Sequence, residues 1–420
     1  MSDNGLVFQV QLAAALLIVL IVYHHVGYPL LLRLLARLGN RRRKQLNVQL
    51  RHFRQCVGDR RVPSIHLFIP VYNEADHIHD KVTSLAWLDY PRDKLTVTLL
   101  FDGCSDDSVE RARLARSEFA VADLDIRLRE FRHNQGKVAM VNEAIGSCDA
   151  EIIAFSDVTA MLAVDCCWRV AHHFMCDHRV GVVTGQYTLL SAGSDGEASY
   201  WQYQNQIRAL EGSLGAVMGA PGAFYAVRRF LCQPLETDTI NDDFVLPMRA
   251  VAQGYRAEFD TELLVFETEP SDLEMDAQRR IRISQGNMQQ ILRLKRLMLP
   301  DLGWVCWMFL SGKVLRVLMP YCMLAVLVLS AWLTPHHWLW GVVYLGQLSV
   351  YLLAAVHYLD DGQWISGAAL FKSKIVRLVS YLAIGHFMGL LGSAKYLLKS
   401  LNNRIRRLLR LSVKTHQPWS

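Results

Sequence analysis

No Cys-x-x-Cys pair occurs among the nine cysteines of this chain, and most of them fall in its middle part. That spacing supports neither a disulfide frame nor a zinc site. The adjacent Cys166 and Cys167 read instead as small buried hydrophobes. Internal repeats and low-complexity tracts are also missing, which argues against a solenoid or a linker-rich array. Charge is absent from two long runs. Between Leu6 and Leu32 there is no Lys, Arg, Asp or Glu, and about 20 such residues suffice to cross a bilayer. The run has no small-residue cleavage site and exceeds a signal-peptide core, so a retained anchor is expected. From Val317 to Leu359 charge is missing again, and Thr334-Pro335-His336-His337 breaks that run into two spans. A third, shorter segment, Leu378 to Ala394, lies between Arg377 and Lys395, with Gly385 and Gly389 spaced to let another helix come close.

What charge there is lies beside these segments. Nothing basic precedes the first span, whereas Arg33, Arg37 and Arg41-Arg42-Arg43-Lys44 follow it, which places the N-terminus outside and the middle of the chain in the cytoplasm. The tail disagrees. Residues 395 to 416 carry seven Lys and Arg without an acid, a pattern expected inside, yet three C-terminal crossings put them outside. Either the last segment is not a full crossing or the tail lies on the outer leaflet, and three crossings are the preferred reading. The tail reads equally as a solvated amphipathic helix and as a binder of anionic lipid. The net charge of +6 sits next to membrane segments and so favours lipid headgroups over nucleic acid.

Between residues 63 and 275 apolar runs alternate with helical ones, the pattern of a largely parallel sheet covered by helices. Strands are expected at Ile65 to Tyr72, Leu95 to Phe101, Ile126 to Phe131 and Glu151 to Phe155. Asn73 and Ser105 read as caps of the helices that follow the first two. Successive strands therefore end in Glu74, Asp102, Lys137 and Asp157, and strand ends on one edge of a parallel sheet converge. Alone each has a plainer reading: Glu74 as a first-turn acid, Lys137 as a surface charge, Asp106 as a turn residue.

At these residues the chain resembles membrane-embedded, inverting family 2 glycosyltransferases of the GT-A fold, the group of cellulose, chitin and hyaluronan synthases. The shared pieces are Pro70-Val71-Tyr72-Asn73-Glu74, the cluster at Asp102, Asn134-Gln135-Gly136-Lys137, Ser156-Asp157, Gly219-Ala220-Pro221-Gly222-Ala223, Asp242-Asp243 and Arg279-Arg280-Ile281-Arg282-Ile283. The resemblance implies an α/β, Rossmann-like GT-A catalytic domain, cytoplasmic, with one N-terminal and two to three C-terminal transmembrane helices. It implies that Glu74 and Asp102 hold the uridine of a UDP-sugar, with Asp106, Lys137, Arg279 and Arg282 on the nucleotide and its phosphates. Asp157 stands where the family's Asp-x-Asp element binds Mg²⁺ or Mn²⁺, although its third position here is Thr159. Asp243 corresponds to the general base, with Asp242 where the family has glutamate. Gly222 and Ala223 would line the acceptor site, with Trp201 a weaker acceptor candidate. The plainer reading of Asp242-Asp243 is a helix N-terminus behind Asn241.

The clearest departure is Ile283, where processive synthases carry a Trp that stacks on the acceptor. An aliphatic side chain offers no aromatic face, so long-chain processivity is not implied. The segment also reads as an amphipathic helix on the membrane surface. The expected organisation is an anchor (1–36), a basic linker (37–62), the catalytic domain (63–290), interfacial helices (291–316), C-terminal membrane helices (317–397) and a basic tail (398–420). The function implied is transfer of a sugar from a UDP-sugar to a polysaccharide or lipid-linked acceptor at a bacterial inner membrane. The alternative is a single addition to a polyprenyl-linked glycan. Membrane lipids and accessory or like subunits are the partners implied. A non-catalytic binding subunit fits less well, since Asp102, Asp157, Asp243 and Arg282 occur together.

Overall fold

The apolar runs of the middle region join one eight-stranded mixed sheet, ordered β3-β2-β1-β4-β7-β6-β8-β5 in the computed structural model. Residues 3–40, 61–190, 195–267, 273–359 and 374–414 are described; the basic run at 41–44 lies outside them. In chain order come helices α1 (Asp3–Val22) and α2 (Tyr28–Asn40), then β1 (Ile65–Val71), α3 (Ile78–Ser84), β2 (Leu95–Asp102) and α4 (Ser108–Arg116). They are followed by β3 (Asp125–Phe131), α5 (Lys137–Ser147), β4 (Ile152–Ser156), β5 (Ala160–Leu162), α6 (Cys166–Cys176) and β6 (Val180–Leu189). Next are α7 (Asp195–Ser213), β7 (Phe224–Arg228), α8 (Asp242–Ala252), β8 (Arg256–Glu267) and α9 (Leu273–Arg293). The last helices are α10 (Trp304–Met308), α11 (Leu315–Leu333), α12 (Trp338–Leu359) and α13 (Lys374–Lys414).

Two compact units divide the chain: Leu30–Asp272 with Leu294–Phe309, and Met1–Pro29 with Leu273–Arg293 and Leu310–Ser420. The first holds the sheet. Strands β3, β2, β1 and β4 run parallel, as their alternation with helices requires. β1 and β4 are buried almost throughout because helices cover both faces, whereas β3, at the sheet edge, buries little besides Ile126. Beyond β4 the expected parallel order gives way: β7 is antiparallel to both β4 and β6, and β5 is antiparallel to β8. Reversing β7 places its first residue, Phe224, beside Ser156, the last of β4. The Gly-rich segment before β7 therefore arrives at the edge where the parallel strands end.

Two expected caps are displaced. α3 starts at Ile78 and α4 at Ser108, because Asn73 and Ser105 spend their polar atoms on each other across the two loops. Asn73 Oδ1 accepts the Ser105 N–H at 2.9 Å, from a backbone with φ of 54°.

In the helical unit α1 packs on α11, α12 on α11 and α13, and α13 on α9. Gly389 of α13 faces Pro320 of α11, with its missing Cβ 3.6 Å from the Pro320 ring. The tightest approach is at Gly392, where a Cβ would lie 2.5 Å from the Ile281 carbonyl oxygen, so α13 and α9 touch through backbone. Among the described residues three helical stretches are long and apolar enough to cross a membrane: Gly5–Leu38, Trp304–Leu333 and Trp338–Val356. That is one N-terminal and two C-terminal. The shorter segment at 378–394 lies within the continuous helix α13.

Candidate active site

The buried carboxylate of Asp102 closes β2 and accepts the N–H groups of Gln135 and Gly136, each at 2.7 Å. Each charge-assisted bond of this kind contributes about 1.5–3 kcal/mol. They fix the loop that ends at Lys137, the first residue of α5, so Asp102 aims Lys137 as well as standing at the sheet edge. Lys137 Nζ then donates to Asp157 Oδ1 at 2.7 Å. Both side chains keep solvent along part of their length, at 43% and 39%, while the Lys137 ammonium itself is turned toward Asp157, Asp242 and Asp243 and loses hydration there. A pair this open is worth about 0–1 kcal/mol to the fold, which leaves stability a poor reason for placing it there.

Asp157 is held from the other side by β7. Its N–H donates to the Ala223 carbonyl at 3.3 Å, and Ser156 Oγ donates to the same oxygen at 3.0 Å. That brings Gly222 against the charges. A Cβ at Gly222 would lie 3.2 Å from Asp157 Oδ2, 3.3 Å from Asp243 Oδ2 and 3.7 Å from Lys137 Nζ. Three charged groups from separate parts of the chain thus surround a residue that has no side chain.

Asp242 and Asp243 form the first turn of α8, where acids complement the helix dipole, although Asn241 makes no capping bond. The sequence ties this helix to the loop through Pro247, which sits inside α8. Proline lacks the N–H that would bond the carbonyl four residues back, and that carbonyl belongs to Asp243. Ala220 N–H takes it instead, at 3.2 Å. Gly219, at φ +89°, lies so close to Phe244 that a Cβ would come within 2.3 Å of its ring. Glu211, buried on α7, accepts the Met218 N–H at 3.0 Å and anchors the start of the same segment.

This crowding sets the electrostatics. Burial, then repulsion from Asp242, raises the Asp243 carboxyl to about 7, against the opposing pull of Lys137. Desolvation works against the Lys137 charge, but Asp157, Asp242 and Asp243 outweigh it and hold the ammonium above its usual range. Tyr225 of β7, fully buried and stacked on Phe155, is held protonated by burial first and then by Asp242 and Asp243.

Of the residues singled out from sequence, Lys137, Asp157, Gly222 and Asp243 meet in one place, with Asp242 and Ala223 buried directly behind. Asp106 spends both oxygens inside the loops, Oδ2 on the Ala75 N–H at 3.0 Å and Oδ1 on Ser108. Glu74 stands in the neighbouring loop, its N–H donating to Ser108 Oγ at 2.8 Å. Trp201 packs on Tyr187 with ring centroids 4.3 Å apart, and the Arg208 guanidinium lies over its ring. Arg279 and Arg282 are exposed residues of α9, in the helical unit. Sequence reading missed Arg208, whose charge opposes the rise of the Asp243 carboxyl, and also Glu211 and Tyr225. The Pro247 signal, four residues after Asp243, was there to be used.

The donor set suits a hard divalent cation in one respect and limits it in another. Asp157 Oδ2 and Asp243 Oδ2 are hard oxygens turned toward the same gap. Among the described residues no group of three His, Cys, Asp or Glu is gathered to hold a metal. A cation here would take most of its ligands from phosphate oxygens and water, the habit of Mg²⁺ and related ions.

Residues 67–233 match the model of glycosyl transferase family 2, and residues 152–359 that of glycosyl transferase family group 2. The chain is 24% identical over 238 residues to a poly-beta-1,6-N-acetyl-D-glucosamine synthase of Staphylococcus aureus, covering 54% of this chain and 56% of the relative. A synthase of the same name from Staphylococcus epidermidis is 22% identical over 241 residues, with 55% and 56% covered. The chain thus spans little more than half the length of these curated relatives. Its fold is similar to a mannosyltransferase from Pyrobaculum calidifontis solved with GDP-Man and Mn²⁺, at a TM-score of 0.66 and 22% identity, covering 91% of this chain and 99% of that one.

Proposed function

Because the chain is a family 2 glycosyltransferase with a GT-A domain and membrane-length helices, we propose that it moves a sugar from a UDP-sugar to a polysaccharide or lipid-linked acceptor, with inversion at the anomeric carbon. The meeting of Lys137, Asp157 and Asp243 around Gly222 carries this reading. The diphosphate lies at the gap beside Gly222, where Lys137 binds it, while Glu74 and the Asp102 loop bound the uridine. The acceptor hydroxyl attacks the anomeric carbon, its proton passes to Asp243, and the bond to the diphosphate breaks with its electron pair on UDP. A carboxyl near 7 is suited to this, since a base is most effective when its pKa lies near the working pH. Mg²⁺ or Mn²⁺ held by Asp157 would supply charge stabilisation for the departing diphosphate.

We place the basic tail on the cytoplasmic side, where its charge favours it. We place the catalytic domain at the cytoplasmic face of a bacterial inner membrane. The curated relatives make an N-acetylhexosamine the first donor sugar to try. Ile283 favours short products, so the second reading, one addition to a polyprenyl-linked glycan, is separated by sizing labelled products: a ladder for polymer, a single band for one addition.

The test is UDP release by purified protein against a panel of UDP-sugars with and without Mg²⁺ or Mn²⁺. One UDP-sugar should turn over only with a cation, and a chain that hydrolyses or transfers none of them sinks the reading. The pH profile has a fixed sign. Asp243 acts as the carboxylate, so kcat/KM rises with pH through about 7 and falls on the acid side as the carboxyl takes up a proton. A profile flat from pH 5 to 8 contradicts the assignment of the base.

A further inference from the structure

Lys81 is a buried cation that the mechanism does not use. It projects from α3, is 0% exposed, and donates to two neutral oxygens, Ser156 Oγ at 2.8 Å and the carbonyl of Ala160. Burying an ammonium against neutral acceptors costs more than an apolar side chain in the same space. Core packing alone therefore does not account for it.

We infer that Lys81 is a positioning residue for the cation and diphosphate end of the donor site, acting through the turn that carries Asp157. The two acceptors lie on either side of Asp157, one residue before it and three after, so a single ammonium closes the turn at both ends. An ammonium has only donors, so Ser156 Oγ must accept from it. The one hydrogen of Ser156 is then left for two carbonyls, that of Ala223 at 3.0 Å and that of Asp157 itself at 3.2 Å, and the first also receives the Asp157 N–H. Ala223 adjoins Gly222. The relay from Lys81 through Ser156 thus sets the spacing between the Asp157 carboxylate and the Gly222 wall, the two sides of the gap.

This rests on the reading that Asp157 and Gly222 hold the donor's diphosphate, and the measurement keeps the two apart. UDP binding to the full chain in detergent is titrated by calorimetry with and without Mn²⁺, for wild type, Lys81→Met and Ser156→Ala. A group one step behind a metal ligand alters metal affinity by roughly 10- to 100-fold when lost. In Lys81→Met, UDP affinity in Mn²⁺ should fall at least about tenfold while metal-free UDP affinity moves by less than about twofold. Ser156→Ala keeps the cation and breaks the relay, so it should show the same selective loss and decides the matter if Lys81→Met does not fold. Wild-type affinity in Mn²⁺ for either variant overturns the inference. So does an equal loss with and without Mn²⁺, which marks Lys81 as structural only. A wild-type chain whose UDP affinity ignores Mn²⁺ overturns the donor-site reading itself, a result visible without any variant.

Discussion

Replacing Asp243 with Asn is expected to lower sugar transfer about 10³-fold while leaving UDP affinity near the wild-type value. The amide has nearly the shape of the carboxylate but takes no proton from an attacking hydroxyl. The loss should appear in kcat more than in the donor KM, since the nucleotide is held by other groups. Stability should move the other way. Asp243 is crowded by Asp242 and by burial, which raise its carboxyl to about 7, and a neutral amide removes that repulsion. The melting temperature of Asp243→Asn should equal or exceed that of wild type. A variant that is both inactive and markedly less stable points to a structural role for Asp243, and one that still transfers sugar removes it as the base.

The parallel half of the sheet was legible because its strands are continuous apolar runs, each followed by a polar tip. Ile65 to Val71 and Leu95 to Asp102 lie within a residue or so of expectation. Asp102, Lys137 and Asp157 were placed on one edge by topology alone, and the structure joins them through the Gln135 and Gly136 N–H groups and the Lys137 ion pair. Helix starts were less legible. Asn73 and Ser105 have the chemistry of caps, but their loops are neighbours in space, and a side chain bonded across loops is no longer available to cap. The reversal of β7 had no local signal. Phe224 to Arg228 reads as a strand in either direction, and only pairing with Ser156 fixes its sense. Arg208 and Glu211 were invisible for a related reason: the charge of the one acts on Asp243 and the carboxylate of the other takes the Met218 N–H through tertiary structure, not spacing. The bonds of Asp106 to the Ala75 N–H and to Ser108 also cross between loops, and spacing does not announce them.

Gly222→Val should lower kcat/KM about 10²-fold with little change in melting temperature. The backbone at Gly222, unlike that at Gly219, is not in the left-handed region, so a side chain brings no conformational strain there. What it brings is volume. The first carbon already lies 3.2–3.7 Å from Asp157 Oδ2, Asp243 Oδ2 and Lys137 Nζ, and the two methyl groups of valine must then occupy the gap between them. Displacement of a substrate by about 1 Å can cost two orders of magnitude in rate. Apolar volume beside Asp243 also withdraws water from a carboxyl already raised by burial. The acid limb of the pH profile should therefore move to higher pH in the variant. Gly222→Ala, whose single carbon needs its neighbours to give only a few tenths of an ångström, should lie between wild type and valine. A valine variant with wild-type kcat/KM and an unmoved acid limb means that the reacting groups meet elsewhere in the sheet domain.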